Sequence, residues 1–210
     1  MNALILVDIQ NDFLPGGALP VPRGDEVIPV ANRAMPAFDV VVATQDWHPA
    51  NHGSFASQHA GRKPGELGEL AGLPQVLWPN HCIQNTLGAD FAPGLNRAGI
   101  TKVFPKGTDV EIDSYSGFFD NGHRKATGLD EYLRHRGVTA VYVLGLATDY
   151  CVKATALDAR SLGLETYLIA DGCRGVELHT GDCAAAINAM RAAGVRIINS
   201  ADLDAERKRP

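Results

Sequence analysis

The 210-residue chain predicts an α/β fold, an open six-stranded and mostly parallel sheet with helices on both faces, three layers (α/β/α) in all. Two observations predict it. Short apolar runs rich in β-branched residues alternate with helix-length amphipathic segments. Three of those helical segments stop at a glycine just ahead of the next strand, where glycine supplies the left-handed closing turn at little cost.

In chain order, residues 3–7, 40–43, 102–104, 140–144, 166–169 and 196–198 read as strands. Their near-continuous apolar character is what strands buried on both faces require. The first helix, 25–35, carries Asp25 and Glu26 in its opening turn and is stopped by Pro36. The helices over 129–136, 150–162 and 180–193 end at Gly137, Gly163 and Gly194. This order of elements is the signature of an open three-layer sheet. Residues 51–95 break the rhythm, being rich in Gly, Pro, His and Asn, and read as irregular binding loops inside one domain spanning 1–210. The charged tail, 204–210, is expected to fray.

Composition excludes several function classes. The net charge of −5 is mild and the basic residues are scattered, so neither nucleic acid nor an anionic membrane is an expected partner. No apolar stretch reaches the length of a membrane span. The opening run halts at Asp8 and reads as a strand rather than a signal peptide. Cys82, Cys151, Cys173 and Cys183 are too dispersed for a disulfide framework and include no C-x-x-C pair. A reducing, cytoplasmic setting follows as the expectation, one in which a free thiol stays reactive. The oligomeric state is left open, a homo-oligomer included.

In open α/β sheets ligands bind beyond the carboxyl ends of the strands. Asp8 follows the first strand, Gln45-Asp46 the second, Lys106 the third and Thr148-Asp149-Tyr150-Cys151 the fourth. A parallel sheet gathers all of them at one edge. Cys151 opens the helix over 150–162, whose unpaired N–H groups favour an anion, and a nearby Lys106 ammonium is expected to lower the thiol pKa further from about 8.5. Asp8 is placed to take the thiol proton and return it to a departing amine. Cys82, Cys173 and Cys183 read as small buried hydrophobes. Asp46 and His48, two apart on extended chain, point the same way and can share one ion. His52, His59, His123, His135 and His179 read as peripheral.

Five segments resemble the isochorismatase-like cysteine hydrolases, specifically their nicotinamidase (pyrazinamidase) branch. Leu4-Ile5-Leu6-Val7-Asp8-Ile9-Gln10-Asn11-Asp12-Phe13 is similar to the family's opening, and Ala43-Thr44-Gln45-Asp46-Trp47-His48-Pro49 to its metal-binding segment. Trp78-Pro79-Asn80-His81-Cys82 resembles the second metal segment. Lys106-Gly107 with Asp113-Ser114-Tyr115-Ser116-Gly117-Phe118 resembles the lysine motif, and Gly145-Leu146-Ala147-Thr148-Asp149-Tyr150-Cys151-Val152 the nucleophile motif. Five motifs in register are highly specific. They cover the chain to about residue 162.

The resemblance implies an amidohydrolase that turns nicotinamide into nicotinate and ammonia, a step of NAD salvage, with Asp8, Lys106 and Cys151 as its catalytic three. It implies a cis peptide between Leu146 and Ala147, with the N–H groups of Ala147 and Cys151 forming the oxyanion hole. It implies one divalent metal ion, Zn2+ first and Fe2+ or Mn2+ otherwise, on Asp46, His48 and His81, with Ser54, His52 or water in a further position. Phe13, Trp78 and Tyr115 are the aromatics at matching positions to pack on a flat ring. The alternatives are a relative acting on a vinyl ether, carbamoyl or ureido compound, and a metal-dependent binding protein without turnover. No G-x-x-x-x-G-K segment and no G-x-G-x-x-G after the first strand supports a nucleotide site.

Overall fold

The protein, seen in a computed structural model, is described over residues 1–203 and 205. Apart from Ala205, the charged tail 204–210 lies outside the described residues. All six expected strands form one sheet: β1 (Asn2–Val7), β2 (Val40–Asp46), β5 (Lys102–Lys106), β6 (Ala140–Leu146), β7 (Glu165–Arg174) and β8 (Arg196–Ile198). Their order across the sheet is β5-β2-β1-β6-β7-β8, and every pairing in it is parallel. The central strands are the most apolar, and Ala3, Leu4, Ile5, Val7, Val42, Ala43, Val141 and Val143 are wholly buried.

Right-handed crossovers dictate the layers. From β1 the chain steps outward to β2 and then β5; from β6 it steps the other way to β7 and β8. Stepping in opposite directions with one handedness puts α1 (Val27–Ala34) on one face, and α3 (Lys153–Ser161) with its neighbour α4 (Asp182–Ala192) on the other. α2 (Leu129–His135) precedes β6. The crevice where the order reverses, between β1 and β6, opens at the carboxyl ends of the strands. Gly145 makes the close approach there possible. It faces Val7 across the ladder at φ +129°, and a Cβ on it would stand 2.1 Å from the Val7 carbonyl oxygen.

Three expectations are corrected. Region 51–95 is not wholly irregular, since β3 (Leu67–Leu70) and β4 (Leu73–Val76) form an antiparallel hairpin. Its turn residues Ala71 and Gly72 both have positive φ, the two-residue geometry that suits strand twist. The first helix is shorter than expected, with 3-10 turns at Gly24–Glu26 and Met35–Ala37. Pro36 therefore sits inside the closing turn rather than past it, where its missing N–H goes unneeded. Cys151 does not open a regular α-helix; it lies in a π-helical turn, Thr148–Val152, ahead of α3.

Candidate active site

β1 ends at Val7, and Asp8 follows with φ +48°, turning the chain out of the sheet at once. Asp46 and Lys106 are the last residues of β2 and β5, and Cys151 hangs in the turn beyond β6. The topology thus brings together what the sequence separates. Lys106 Nζ lies 2.9 Å from Asp8 Oδ2 and 3.3 Å from Cys151 Sγ; it also donates to the Ser114 carbonyl at 2.9 Å and to Asp46 Oδ1. All four functional side chains are buried.

Burial sets the electrostatics. Asp8 is pushed up to about 6 by desolvation, with Lys106 pulling it down and Asp46 pushing it up. Burial opposes the charge of Lys106, yet Asp46 and Asp8 outweigh it and hold the amine well above the ordinary lysine range. Burial likewise raises Asp46, but Lys106 and His48 overcome it and keep the carboxyl well below the usual range. Cys151 corrects an expectation. Desolvation raises its thiol well above the ordinary value despite Lys106, helped by the charges of Asp8 and Asp46. Burial thus favours the protonated sulfur, beside a carboxyl whose pKa is raised toward neutrality.

Asp46, His48 and His81 form a buried set whose ligand atoms all lie within 4.8 Å of one another. His48 Nδ1 lies 2.8 Å from the Gly107 carbonyl, and His81 Nδ1 lies 2.8 Å from the Pro79 carbonyl. A carbonyl only accepts, so each Nδ1 carries a hydrogen and each ring turns its Nε2 toward Asp46. Those atoms stand 3.6 and 3.8 Å from Asp46 Oδ2. Three lone-pair donors facing one another call for a cation. Burial works against charge on His48, yet Asp46 raises its pKa, the same demand expressed as a proton. Two imidazoles and a carboxylate suit a divalent transition metal. Neither Ser54 nor His52 belongs to this set: Ser54 Oγ is engaged with His52 Nδ1 at 2.7 Å.

His52 is a second correction. It is wholly buried rather than solvated, its ring 4.3 Å from that of His48, and burial with the neighbouring His48 lowers its pKa to about 4. His59 is half-buried and lies 2.7 Å from the Gly53 carbonyl. His123, His135 and His179 are exposed as expected. Cys82 and Cys173 are buried away from the cavity, and Cys183 is partly so.

The thiol and the metal-type donors line one small cavity. Phe13, Trp78, Tyr115 and Ala147 all line it. The Leu146–Ala147 peptide is cis. The Trp78 indole donates to the Tyr115 hydroxyl at 3.2 Å, and Gln75 of β4 donates to the same hydroxyl at 3.0 Å, so the hairpin braces the aromatic wall. The Asp12 carboxylate accepts from the Cys82 and Ala18 amides, fixing the His81 segment against the loop that carries Leu19. Asp149 accepts from the Val176 and Glu177 amides and holds Val176 in the wall.

Sequence reasoning missed Leu19, Asp113, Tyr150 and Val176 in the lining, and Thr44 against Asp8. Two of these had a signal. Tyr150 adjoins Cys151, and its ring stands 4.8 Å from Trp78; Thr44 lies two residues before Asp46, on the same strand face.

Comparison with known proteins agrees with this geometry. The isochorismatase domain family matches residues 2–202. A nicotinamidase of Escherichia coli (strain K12) is 53% identical over 205 residues, covering 96% of each chain. The structure of an Acinetobacter baumanii nicotinamidase/pyrazinamidase superposes with a TM-score of 0.93 at 48% identity, over 96% of this chain and 97% of that one. A pyrazinamidase of Pyrococcus horikoshii in complex with zinc gives 0.76 at 40% identity, over 94% and 98%. A match along nearly the whole length, joined to relatives this similar end to end, makes the chain a member of the isochorismatase domain family.

Proposed function

We propose that this protein hydrolyses nicotinamide to nicotinate and ammonia through a thioester on Cys151. The observation that carries the reading is the buried contact of Lys106 Nζ with Asp8, Asp46 and Cys151 beside an aromatic cavity. The names of the similar proteins supply the substrate. The cavity walls of Phe13, Trp78 and Tyr115 stack on a flat ring. Asp8 takes the Cys151 proton, and the sulfur attacks the carboxamide carbon, sending the carbonyl pair onto oxygen. The N–H groups of Ala147 and Cys151 receive that oxyanion, a donor each worth about 3 kcal/mol. Collapse breaks the C–N bond, and Asp8 hands its proton to the leaving ammonia. Asp8 then takes a proton from water as the water attacks the thioester, and the sulfur leaves and is reprotonated. Lys106 stays charged throughout and balances the carboxylates.

Asp46, His48 and His81 hold one divalent ion, zinc in this proposal, with iron or manganese as substitutes. When bound, the ion supplies a Lewis-acidic point that orients the ring rather than the attacking water. The purified protein is expected to release ammonia from nicotinamide, and chelation to lower that rate by roughly tenfold or more, with recovery on adding Zn2+. Activity on carbamoyl or ureido compounds with none on nicotinamide would replace this reading with its nearest alternative.

The Asp8 value has a direct consequence for pH. Below about 6 the carboxyl is protonated and cannot accept the thiol proton. kcat/KM is therefore expected to fall on the acid side of pH 6, by about tenfold per pH unit for one essential proton. A cation on Asp46 screens one of the charges that raises Asp8, so loading the ion shifts this limb to lower pH. A profile flat between pH 4.5 and 7 is the contrary result.

A further inference from the structure

The two carboxylate oxygens of Asp8 stand in different surroundings. Oδ1 accepts a 2.6 Å hydrogen bond from the Thr44 hydroxyl, and both residues are wholly buried. Oδ2 is 2.9 Å from Lys106 Nζ but has no aligned hydrogen-bond donor. Lys106 Nζ also donates to Asp46 Oδ1, the Ser114 carbonyl and Cys151 Sγ, so its ammonium is shared among several acceptors. A buried carboxylate oxygen without a hydrogen-bond donor, on a carboxylate within 4.8 Å of Cys151 Sγ, is an open acceptor.

We infer that Thr44 is a positioning residue for the reaction proposed above, which this inference rests on: its hydroxyl occupies Asp8 Oδ1, fixes the carboxylate plane, and commits every proton transfer to Oδ2. The backbone sets this up. Thr44 and Asp46 share one face of β2, so the first reaches Asp8 while the second reaches Lys106. A β-branched side chain has few rotamers, and the Thr44 methyl has an added restraint. A Cβ on Gly117 would stand only 2.6 Å from Thr44 Cγ2, so the bare glycine leaves room for that methyl and keeps the hydroxyl aimed. In the forward step the S–H bond of Cys151 breaks as Oδ2–H forms, and the electron pair stays on sulfur. The same proton then leaves Oδ2 for ammonia. Without Thr44 only the Lys106 ion pair orients the carboxylate, and either oxygen can take the proton.

Thr44→Val keeps the shape and removes the donor, whereas Thr44→Ser keeps the donor. Both are measured against the parent by ammonia release from nicotinamide and by the rate of iodoacetamide alkylation at the Cys151 peptide, read by mass spectrometry. For Thr44→Val, kcat is expected to fall by about 10- to 100-fold while KM stays within about twofold, with alkylation slowed in parallel. Thr44→Ser is expected to stay within about threefold of the parent in both assays. Thermal unfolding checks that the variants fold, and Thr44→Ala takes the place of valine if that one does not. Parent-like kcat and alkylation in the valine variant overturn the inference, as does a serine variant equally impaired. Alkylation needs no substrate, so it decides the role of Thr44 even if the parent releases no ammonia from nicotinamide, an outcome that removes the substrate assignment alone.

Discussion

Cys151→Ala is expected to release no measurable ammonia from nicotinamide, a loss of about 10⁴-fold or more, while keeping its fold and its metal content. The loss is total because the proposed route is covalent, and without sulfur there is no thioester for Asp8 to help form or cleave. None of the other three cysteines lines the cavity. The fold survives for reasons on the same scale. The change removes one buried atom and leaves Lys106 with Asp46, Asp8 and the Ser114 carbonyl as partners. The metal-type donors Asp46, His48 and His81 are untouched. Ammonia release, a thermal melt and metal analysis on one preparation check all three. Substantial turnover in the alanine variant means that water, not sulfur, attacks the amide, and the thioester scheme fails with it.

The parts of this site legible beforehand were those that topology alone decides. Once residues 3–7, 40–43, 102–104 and 140–144 read as parallel strands, Asp8, Asp46, Lys106 and Cys151 had to meet at one edge, whatever their separation in the chain. The His48 and His81 pairing came from motif resemblance, and the structure adds the two carbonyls that orient the rings. What stayed hidden depends on burial and on irregular backbone. The thiol of Cys151 looked acidified because a lysine and a helix start are visible in sequence, whereas desolvation is not; desolvation proved the larger effect. The hairpin at Leu67–Val76 escaped because Ala71-Gly72 is a weaker turn signal than Asn-Gly, and its short strands contain Gly68 and Pro74. His52 read as a solvated loop residue until the chain folded it against His48.

Lys106→Met is expected to be inactive and to lose stability in a pH-dependent way. In the parent one buried ammonium serves two buried carboxylates. Removing it leaves Asp8 and Asp46 without their cation, and breaking such a pair costs about 3–5 kcal/mol, or roughly 10 °C in a chain of this size. Asp46 still has the two histidines and whatever cation they hold with it. Asp8 has only the Thr44 hydroxyl, so it escapes by taking a proton, and its pKa climbs beyond the parent's value of about 6. A neutral Asp8 cannot accept the thiol proton, which removes activity without touching Cys151. The sign for stability follows. Between an unfolded carboxyl value near ~4 and the raised folded value, the folded variant binds more protons than the unfolded chain, so its stability falls as pH rises through that window. The deficit against the parent is therefore expected to be smaller at pH 5 than at pH 8. Thermal melts of both proteins at the two pH values, with ammonia release measured alongside, test the argument. An equal deficit at both, or a variant that still turns over, would show that Lys106 is not what keeps Asp8 ionised.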